Sequence, residues 1–535
     1  MQKYSGTSVF GGVAIGRLFV YVKDGQQVRR TAITDIPAEI ERFDKARLAA
    51  KKDLDELYEK AVKEAGQDNA EIFTVHKMML EDDSFKDSVY NIIEEQSVNA
   101  EYAVATTEDN LYEIFMGLED EYMRGRAADI RDISERVISK LSGNNATLTL
   151  YEPSIVMATE LVPSETVQLD REKLLGFVTL EGSKNSHTAI LARNMNIPAL
   201  IGIKPDKELN GKLAVIDGYE GCIVVDPDEE YLAKMQAKKK SDDDKKRLLL
   251  ELKGKENVTS DGRKIDIYAN IGTPSDFPLV TENDAGGIGL FRSEFLYLKK
   301  EDFPTEEEQF TAYKSVAMGM SGKPVVIRTL DIGADKQADY FKLDKEENPA
   351  MGMRAIRICL KRPEIFKTQL RAILRASNYG NIWIMFPMII SLWEVKKAKS
   401  ILEEVRRDLE IEGVPIKPVK VGIMIETPAA VMMTEELAAE VDFFSIGTND
   451  LTQYTEAIDR QNPKLADFYD AHHPAVLKMI EMTVKNAHKH GTYVGICGEL
   501  AADTELTEKF IEYGVDELSV SPSMVLKVRE KVRSL

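Results

Sequence analysis

The spacing of hydrophobic and polar positions changes along the chain, and the change marks two kinds of structure. Residues 37–142 carry apolar side chains three or four positions apart, as at Ile40, Phe43 and Ala46, which is the spacing of one helix face. After Pro153 the apolar positions form short runs bounded by Gly, Pro and Asp, which favour strands. The pattern therefore predicts an all-helical segment followed by an α/β segment.

The short apolar runs between residues 153 and 228 predict a small α/β domain. The strand candidates read SIVMATEL, LLGFVTLEG, ALIGI and LAVIDGYEGCIVVDP. Residues 1–20 add a glycine-rich lead-in to one more strand, so we expect the N-terminus to complete this domain. The helical stretch interrupts it. The predicted organisation is an α/β domain of residues 1–33 and 143–228 with a helical domain of residues 34–142 inserted.

A run of alternating charge blocks, AKKKSDDDKKR, follows the α/β domain. Such blocks pack poorly into a core and suit solvated connections. We expect a connecting helix and hinge at residues 229–262. An ordinary exposed helix fits the same residues and is compatible with the same role.

Eight strand candidates alternate with helical patterns over residues 263–535. They read, in order, KIDIYANI, GGIGLF, PVVIRT, IWIMFPMI, KVGIMIE, VDFFSIG, YVGICGE and ELSVSP, and a last helix is predicted near Met524–Arg533. Eight repeated strand–helix units are typical of a TIM barrel, whose chemistry takes place at the carboxyl ends of the strands. The fold class predicted for the whole chain is therefore α/β and multidomain, with the barrel at its C-terminal end.

Composition narrows the classes of function without choosing one. The 535 residues are 43% hydrophobic and 30% charged, as in a soluble globular protein, and the net charge of −20 disfavours nucleic-acid binding. The cysteines Cys222, Cys359 and Cys497 are widely separated and suit neither a disulfide framework nor a zinc site. Because the sequence shows neither a signal pattern nor a long apolar run, we expect no membrane insertion and a cytoplasmic location.

One polar loop leads directly into a predicted helix and carries a histidine at the junction. In GSKNSHTAILAR, residues 182–193, apolar spacing begins just after His187, and Ser186 is placed to cap the helix. Free N–H groups in a first helical turn favour anions and disfavour an imidazolium ion. A neutral His187 there would be a good phosphoryl acceptor. A capped helix start with an incidental histidine fits the same pattern.

Polar residues of matching chemistry follow the predicted barrel strands. They are Arg292, Arg328, Asp331, Glu426, Asn449, Asp450 and Cys497. Arginines form bidentate hydrogen bonds with phosphate and carboxylate oxygens. Two carboxylates that leave coordination positions free for water and substrate suit Mg²⁺ beside a substrate phosphate. Such a set fits phosphoryl transfer, which depends on positioning and charge neutralisation. The thiol of Cys497 could give a proton to carbon, and a small buried hydrophobe is an equally good interpretation of it.

The same residues lie in motifs that resemble one enzyme family. These motifs read GSKNSHTAILAR, GIGLFRSEFLYL, VVIRTLDIGADK, MGMRAIR, GIMIETPAA, DFFSIGTNDLTQYT and CGELA. They are similar, over nearly the whole chain, to enzyme I of the bacterial sugar phosphotransferase system, the phosphoenolpyruvate–protein phosphotransferase. The resemblance implies that the chain takes a phosphoryl group from phosphoenolpyruvate onto a histidine and passes it to the histidine-containing phosphocarrier protein.

The resemblance also implies a role for each candidate residue. His187 would carry the phosphoryl group, Thr166 would orient it, and Cys497 would protonate the departing enolpyruvate. Mg²⁺ would bind to Glu426 and Asp450. The substrate would be held by Arg292, Arg328, Arg354, Asn449, Asp450 and Arg460. The helical domain would dock the carrier protein, and the barrel would form a homodimer.

Two alternatives stay open at this point. A phosphoenolpyruvate synthase or pyruvate phosphate dikinase shares a phosphohistidine domain and a similar barrel, but it also needs a separate nucleotide-binding domain. The sequence contains no Walker-type G-x-x-x-x-G-K-[ST] motif, and residues 37–142 have a plain helical pattern. A regulatory protein that binds the carrier without catalysis would not need the complete set of histidine, arginines and carboxylates.

Replacing His187 by Gln or Ala is expected to abolish labelling by phosphoenolpyruvate while leaving the fold intact, because the residue is predicted at an exposed helix start. Radioactive labelling and circular dichroism of the same samples measure the two effects. As controls, five other histidines should be dispensable: His76, His472, His473, His488 and His490. Stoichiometric label on His187→Ala would refute the assignment.

Overall fold

The computed structural model divides the chain into two compact units, residues 1–245 and 246–535. The described residues are 1–21, 28–65, 67–117, 121–143, 150–181, 188, 192, 195, 197–298, 302–333, 339–344, 346–460, 462–465 and 467–535. No helix within these ranges has the length and apolar character needed to cross a membrane. The finer domain boundaries that the sequence suggests stay predictions.

The first unit contains an eight-stranded sheet in the order β1-β8-β7-β3-β4-β5-β6-β2. Its strands are β1 Gln2–Ser5, β2 Thr7–Phe10, β3 Val13–Tyr21, β4 Ser154–Ala158, β5 Leu174–Thr179, β6 Ala199–Ile201, β7 Leu213–Asp217 and β8 Cys222–Val225. In β4, Ile155 and Met157 pack into one hydrophobic cluster, and Val156 and Ala158 pack into another. Because side chains alternate along a strand, β4 is buried on both faces.

The prediction of a single N-terminal strand is wrong, because the first 21 residues form three strands. β1 pairs with β8 at one edge of the sheet and β2 pairs with β6 at the other edge. Gly6 alone separates β1 from β2, and one residue cannot cross an open sheet, so the two edges meet there. A Cβ on Gly6 would lie 2.5 Å from the carbonyl oxygen of Ile201, which requires glycine at this position.

The predicted helical segment is inserted between β3 and β4. Its helices are α1 Ile36–Ala65, α2 Gln67–Glu81, α3 Asp83–Gln96, α4 Ala100–Met116 and α5 Glu121–Ser142. The start of α3 shows how the sequence sets a boundary: the Asp82 carboxylate accepts a hydrogen bond from Ser84 N–H at 2.8 Å. Phe85, Val89 and Ile93 then bury one face of the helix in the shared core. Apolar spacing and capping therefore explain this element.

The short helix α6 Pro163–Thr166 and the long helix α7 Glu229–Leu250 lie further along the chain. Helix α7 contains the charge blocks and runs across the division between the two units. Met235 is its buried residue, and Lys238 Nζ lies 2.6 Å from the carboxylate of the buried Asp217. The first half of α7 is thus attached to the first unit.

The second unit is a closed barrel of eight parallel strands, which confirms the predicted TIM barrel. The strands are β9 Asp266–Ile271, β10 Ile288–Arg292, β11 Pro324–Arg328, β12 Asn381–Phe386, β13 Lys420–Ile425, β14 Phe443–Ile446, β15 Tyr493–Ile496 and β16 Glu517–Val520. Every strand pairs in parallel with the next, and β16 closes the ring on β9. All eight carboxyl ends therefore meet at one rim.

The helices that follow the strands pack around the outside of the barrel. They are α8 Phe277–Glu282, α9 Phe295–Leu298, α10 Glu306–Gly319, α11 Ile356–Lys361, α12 Pro363–Ala376, α13 Leu392–Ile411, α14 Pro428–Met432, α15 Thr434–Ala438, α16 Thr448–Glu456, α17 Pro474–Lys489, α18 Thr507–Tyr513 and α19 Val525–Ser534. The core between helices and strands is separate from a smaller cluster that includes Leu290, Val326, Met385 and Met424.

Arg529 links α19, the last helix, to residues 252–284 at the start of the second unit. Its buried guanidinium donates to Asn257 Oδ1 at 2.7 Å and to Asp284 Oδ2 at 2.6 Å. It also donates to the backbone oxygens of Leu252 and Asp284 at 2.9 and 2.7 Å. One side chain thus satisfies four acceptors that lie far from it in the sequence.

Replacing Arg529 by Ala is expected to destabilise the barrel by about 2–4 kcal/mol, because the buried Asn257 and the three other acceptors lose a charged partner. The two tryptophans of the chain, Trp383 and Trp393, lie in this unit, so their fluorescence during urea unfolding reports on the barrel. The control Arg533→Ala removes an exposed arginine and should cost less than about 1 kcal/mol. Equal effects of the two substitutions would show that the buried contacts of Arg529 do not fasten α19.

Candidate active site

The carboxyl ends of the barrel strands surround a cavity of about 550 Å³. Nine of the residues singled out from the sequence line it: Arg292, Arg328, Asp331, Arg354, Glu426, Asn449, Asp450, Arg460 and Cys497. They come from distant parts of the second unit, and barrel closure brings them together. Their individual roles stay predictions.

The strand register explains how these side chains come to share one rim. Arg292 and Arg328 are the last residues of β10 and β11 and pair directly across the two strands. Glu426 and Cys497 come immediately after β13 and β15. Asn449 lies in the first turn of α16, which follows β14. Each residue therefore occupies the position at which a strand turns into the loop or helix that follows.

Asp331 holds two of the arginines. Its Oδ2 lies 3.0 Å from Arg328 Nη1, and its Oδ1 lies 3.1 Å from Arg354 Nη2. Arg328 also pairs with Glu294, and all four side chains are buried. Burial lowers the pKa of Arg328, but the charges of Asp331 and Glu294 more than offset this and raise it. Arg328 stays charged, and its buried Nε, which has no hydrogen-bond partner among the described residues, can donate to an anion.

Glu426 is a buried carboxyl group with other negative charges around it. Burial, followed by the charges of Asp450 and Asp331, raises its pKa to about 8, against the opposing effect of Arg328. The N–H of Met388 donates to Glu426 Oε1 at 2.6 Å and leaves Oε2 for another partner. A divalent cation would favour the charged form of such carboxylates.

The acidic residues at this position fit a magnesium ion better than a metal that requires a full set of protein ligands. Mg²⁺ usually binds one or two carboxylates and keeps several waters, and Glu426 and Asp450 supply two. Within the part of the chain that the structure describes, no group of three or more His, Cys, Asp or Glu side chains is arranged to hold a metal by itself.

Cys497 lies buried at the same cavity, with 4% of its surface exposed. Burial raises the pKa of its thiol to about 11, and the charge of Glu426 adds to this, while Ser445 and Arg328 oppose it. The Sγ atom lies 3.7 Å from the carbonyl oxygen of Ile446, to which the S–H can donate. The thiol therefore keeps its proton at neutral pH.

The remaining polar groups of the rim are less buried. Arg460 Nη2 lies 3.4 Å from Asp450 Oδ1, and a third of the Arg460 side chain is exposed. Asn449 forms two hydrogen bonds with Glu499, and Arg292 is exposed. The cavity therefore has a rigid, buried side and a more accessible side with both signs of charge.

The other two predicted site residues belong to the first unit. Thr166 is buried at the end of α6. His187 and the polar loop before it lie outside the described residues. Thr188, the next residue, is helical, and its hydroxyl donates to the carbonyl oxygen of Leu161 at 3.2 Å.

Four acidic residues of the cavity had no role assigned from the sequence: Glu294, Asp331, Asp459 and Glu499. Glu294 follows Arg292 by two positions, and Asp331 follows Arg328 by three, so each lies in the turn after a strand. That position was an available signal. It is a weak one, because acidic residues are common in turns for purely local reasons.

Three family models match successive parts of the chain. The N-terminal model of PEP-utilising enzymes matches residues 5–126, the mobile-domain model matches residues 150–221, and the PEP-binding-domain model matches residues 246–535. The last range contains the whole barrel and its cavity. Fold and site together define the class as the PEP-utilising enzymes.

Two curated relatives identify the family to which the chain belongs within this class. The phosphoenolpyruvate-protein phosphotransferases of Priestia megaterium and Bacillus subtilis (strain 168) are each 42% identical to the chain, over 539 and 541 residues. The alignments cover 100% of this chain and 94% and 95% of the relatives. The chain belongs to the phosphoenolpyruvate–protein phosphotransferase family, and it is an enzyme.

Alkylation of Cys497 by iodoacetamide is expected to accelerate about tenfold per pH unit between pH 7 and 10 without a plateau, because the thiolate is the reactive form and the pKa is about 11. The measurement uses mass spectrometry on a Cys222→Ala, Cys359→Ala variant, in which Cys497 is the remaining cysteine. A plateau between pH 8 and 9, typical of an exposed thiol, would contradict the buried environment.

Proposed function

We propose that the chain transfers the phosphoryl group of phosphoenolpyruvate to its own His187 and then to the histidine-containing phosphocarrier protein. Pyruvate is released, and the reaction is the first step of sugar uptake by a phosphotransferase system. The observation that carries the proposal is the barrel cavity with its arginines, carboxylates and thiol, in a chain 42% identical over its full length to enzymes of that name.

The arginines supply the binding site for the phosphate. Arg328 and Arg354 are already held by Asp331, so they lose little side-chain freedom when an anion binds. Arg292 is exposed and adds a third cation to the same cavity. The substrate carboxylate is assigned to the Asn449 side chain and Arg460, with backbone N–H groups of residues 449–450 beside the phosphate. Charge and geometry then orient the phosphoryl group for transfer.

Glu426 and Asp450 are assigned to Mg²⁺. When bound, the ion neutralises phosphate charge that the arginines leave uncompensated. Burial, together with the negative charges of Asp450 and Asp331, raises the pKa of Glu426, and this supports the assignment because a cation would favour the charged carboxylate.

Cys497 is assigned to the proton that pyruvate requires. Phosphoryl transfer breaks the bond between phosphorus and the enol oxygen and leaves enolpyruvate, whose methylene carbon must gain a proton. The Cys497 S–H gives its proton to that carbon and becomes a thiolate, which regains a proton from water. A thiol that stays protonated at neutral pH suits this step.

The acceptor histidine precedes the charged helix α7 in the chain, and the arginine clamp follows it. His187 must meet the substrate in the barrel and, in a second step, the carrier protein on the helical domain. One fixed arrangement cannot place it in near-attack geometry at both, so a hinge motion is part of the proposal. Thr166 is assigned to orient His187.

The match of whole chains favours this function over a phosphoenolpyruvate synthase or pyruvate phosphate dikinase and over a regulatory carrier-binding protein. A homodimer formed through the barrel and a cytoplasmic location complete the proposal.

Incubation with radiolabelled phosphoenolpyruvate and Mg²⁺, without ATP, is expected to give acid-labile, base-stable label on the protein. A chelator should prevent the labelling. Glu426→Ala and Asp450→Ala should each slow labelling at least about a hundredfold, because each removes a charged ligand of the ion.

The control Glu410→Ala removes an exposed carboxylate of α13 and should leave labelling unchanged. Labelling that requires ATP would point to the synthase or dikinase reaction instead. Unchanged rates and unchanged Mg²⁺ dependence in both carboxylate variants would refute the metal assignment.

A further inference from the structure

Asn449 and Glu499 hold each other by two hydrogen bonds at the rim of the cavity. Asn449 Nδ2 donates to Glu499 Oε1 at 3.0 Å, and the backbone N–H of Glu499 donates to Asn449 Oδ1 at 2.9 Å. A backbone N–H can only donate and an ionised carboxylate can only accept, so the two contacts together determine which way the amide points. Its oxygen faces the Glu499 backbone, and its NH₂ group faces the Glu499 carboxylate.

This orientation decides what the amide offers to a ligand. The NH₂ group has two N–H bonds, and the Glu499 carboxylate uses one of them, which leaves the other to donate. The oxygen is engaged by the Glu499 backbone. Both residues line the cavity of about 550 Å³ and a neighbouring cavity of about 280 Å³ that shares Arg460 with it. An anion in the larger cavity would therefore meet a donor on Asn449.

We propose that Glu499 is a positioning residue, which holds the Asn449 amide so that an N–H group, and not the carbonyl oxygen, faces the substrate carboxylate. This role rests on the proposed function, in which Asn449 binds the carboxylate of phosphoenolpyruvate. An amide turned the other way would place the Asn449 side-chain oxygen against the oxygens of the substrate carboxylate and repel the substrate. The backbone N–H of Glu499 sets the same orientation, and the side chain adds the second hydrogen bond.

The charge of Glu499 has the opposite effect on substrate binding. It lies in a cavity that also contains Asp450, and it repels an anion. If Glu499 acted through charge alone, neutralising it would tighten the binding of a carboxylate. If it positions Asn449, losing its hydrogen bond weakens that binding. The two roles therefore predict changes of opposite sign in the affinity for a carboxylate.

Three variants of the full chain separate hydrogen bonding from charge. Glu499→Ala removes both, and Glu499→Asp keeps the charge on a side chain one methylene shorter. Glu499→Gln keeps an oxygen acceptor without the charge. Calorimetry with pyruvate tests the carboxylate contact, and calorimetry with inorganic phosphate tests the arginine clamp, which does not include the Asn449 side chain. Glu505→Ala, which removes an exposed carboxylate nearby, is the matched control.

The Ala and Asp variants are expected to bind pyruvate about five- to tenfold more weakly, the effect of losing one hydrogen bond to an anion site. Their affinity for inorganic phosphate should stay within about twofold of the parent, which also shows that the barrel is folded. Glu499→Gln, which keeps the acceptor and loses the repulsive charge, should bind both ligands at least as tightly as the parent, and Glu505→Ala should resemble the parent with both ligands. With phosphoenolpyruvate, KM should rise by a similar factor in the Ala and Asp variants, while kcat changes little.

Tighter pyruvate binding by both Glu499→Ala and Glu499→Gln would overturn the positioning role in favour of a charge effect. Unchanged pyruvate binding by both Glu499→Ala and the charge-keeping Glu499→Asp would also overturn it, and so would loss of both ligands in the nearly isosteric Glu499→Gln. Labelling of the parent by phosphoenolpyruvate distinguishes a failure of the proposed function from a failure of the role proposed for Glu499. An unlabelled parent refutes the proposed function, whereas a labelled parent with unchanged Ala and Asp variants refutes only the role of Glu499.

Discussion

Buried ion pairs hold the arginines of the barrel mouth, and the candidate site depends on this pairing. A guanidinium group taken out of water without a partner is strongly unfavourable, and Asp331 and Glu294 remove that cost for Arg328. Asp331 contacts Arg354 as well, so one carboxylate fixes two cations relative to each other. The binding site for an anion is therefore formed before the anion arrives, and little side-chain entropy remains to be lost.

The same burial has different consequences for the other ionisable groups. Burial is the largest cause that raises the pKa of Glu426 to about 8 and that of Cys497 to about 11. For the carboxyl group this means that its charged form needs a cation, which the proposed Mg²⁺ would provide. For the thiol it means that a proton is retained, as the proposed transfer to carbon requires. One dry environment thus supports both proposed roles, with opposite charge states.

Much of this organisation follows from local sequence signals. The eight barrel strands and the helical insertion are found where the apolar spacing predicts them, because periodicity and Gly or Pro breaks act over a few residues. The three N-terminal strands are an instructive exception. β1 and β2 are short and pair with β8 and β6, which lie some 200 residues away, so no local pattern predicts them. Their existence depends on sheet edges that the rest of the chain provides.

The sequence by itself determined the helical insertion, the barrel, and the set of residues at the barrel rim. These are properties of spacing along the chain. Only the tertiary structure decided that Asp331 holds both Arg328 and Arg354, that burial raises the pKa values of Glu426 and Cys497, and which way the Asn449 amide points. The physical reason is that these properties depend on distances and burial between residues of different strands, and closure of the barrel sets those distances.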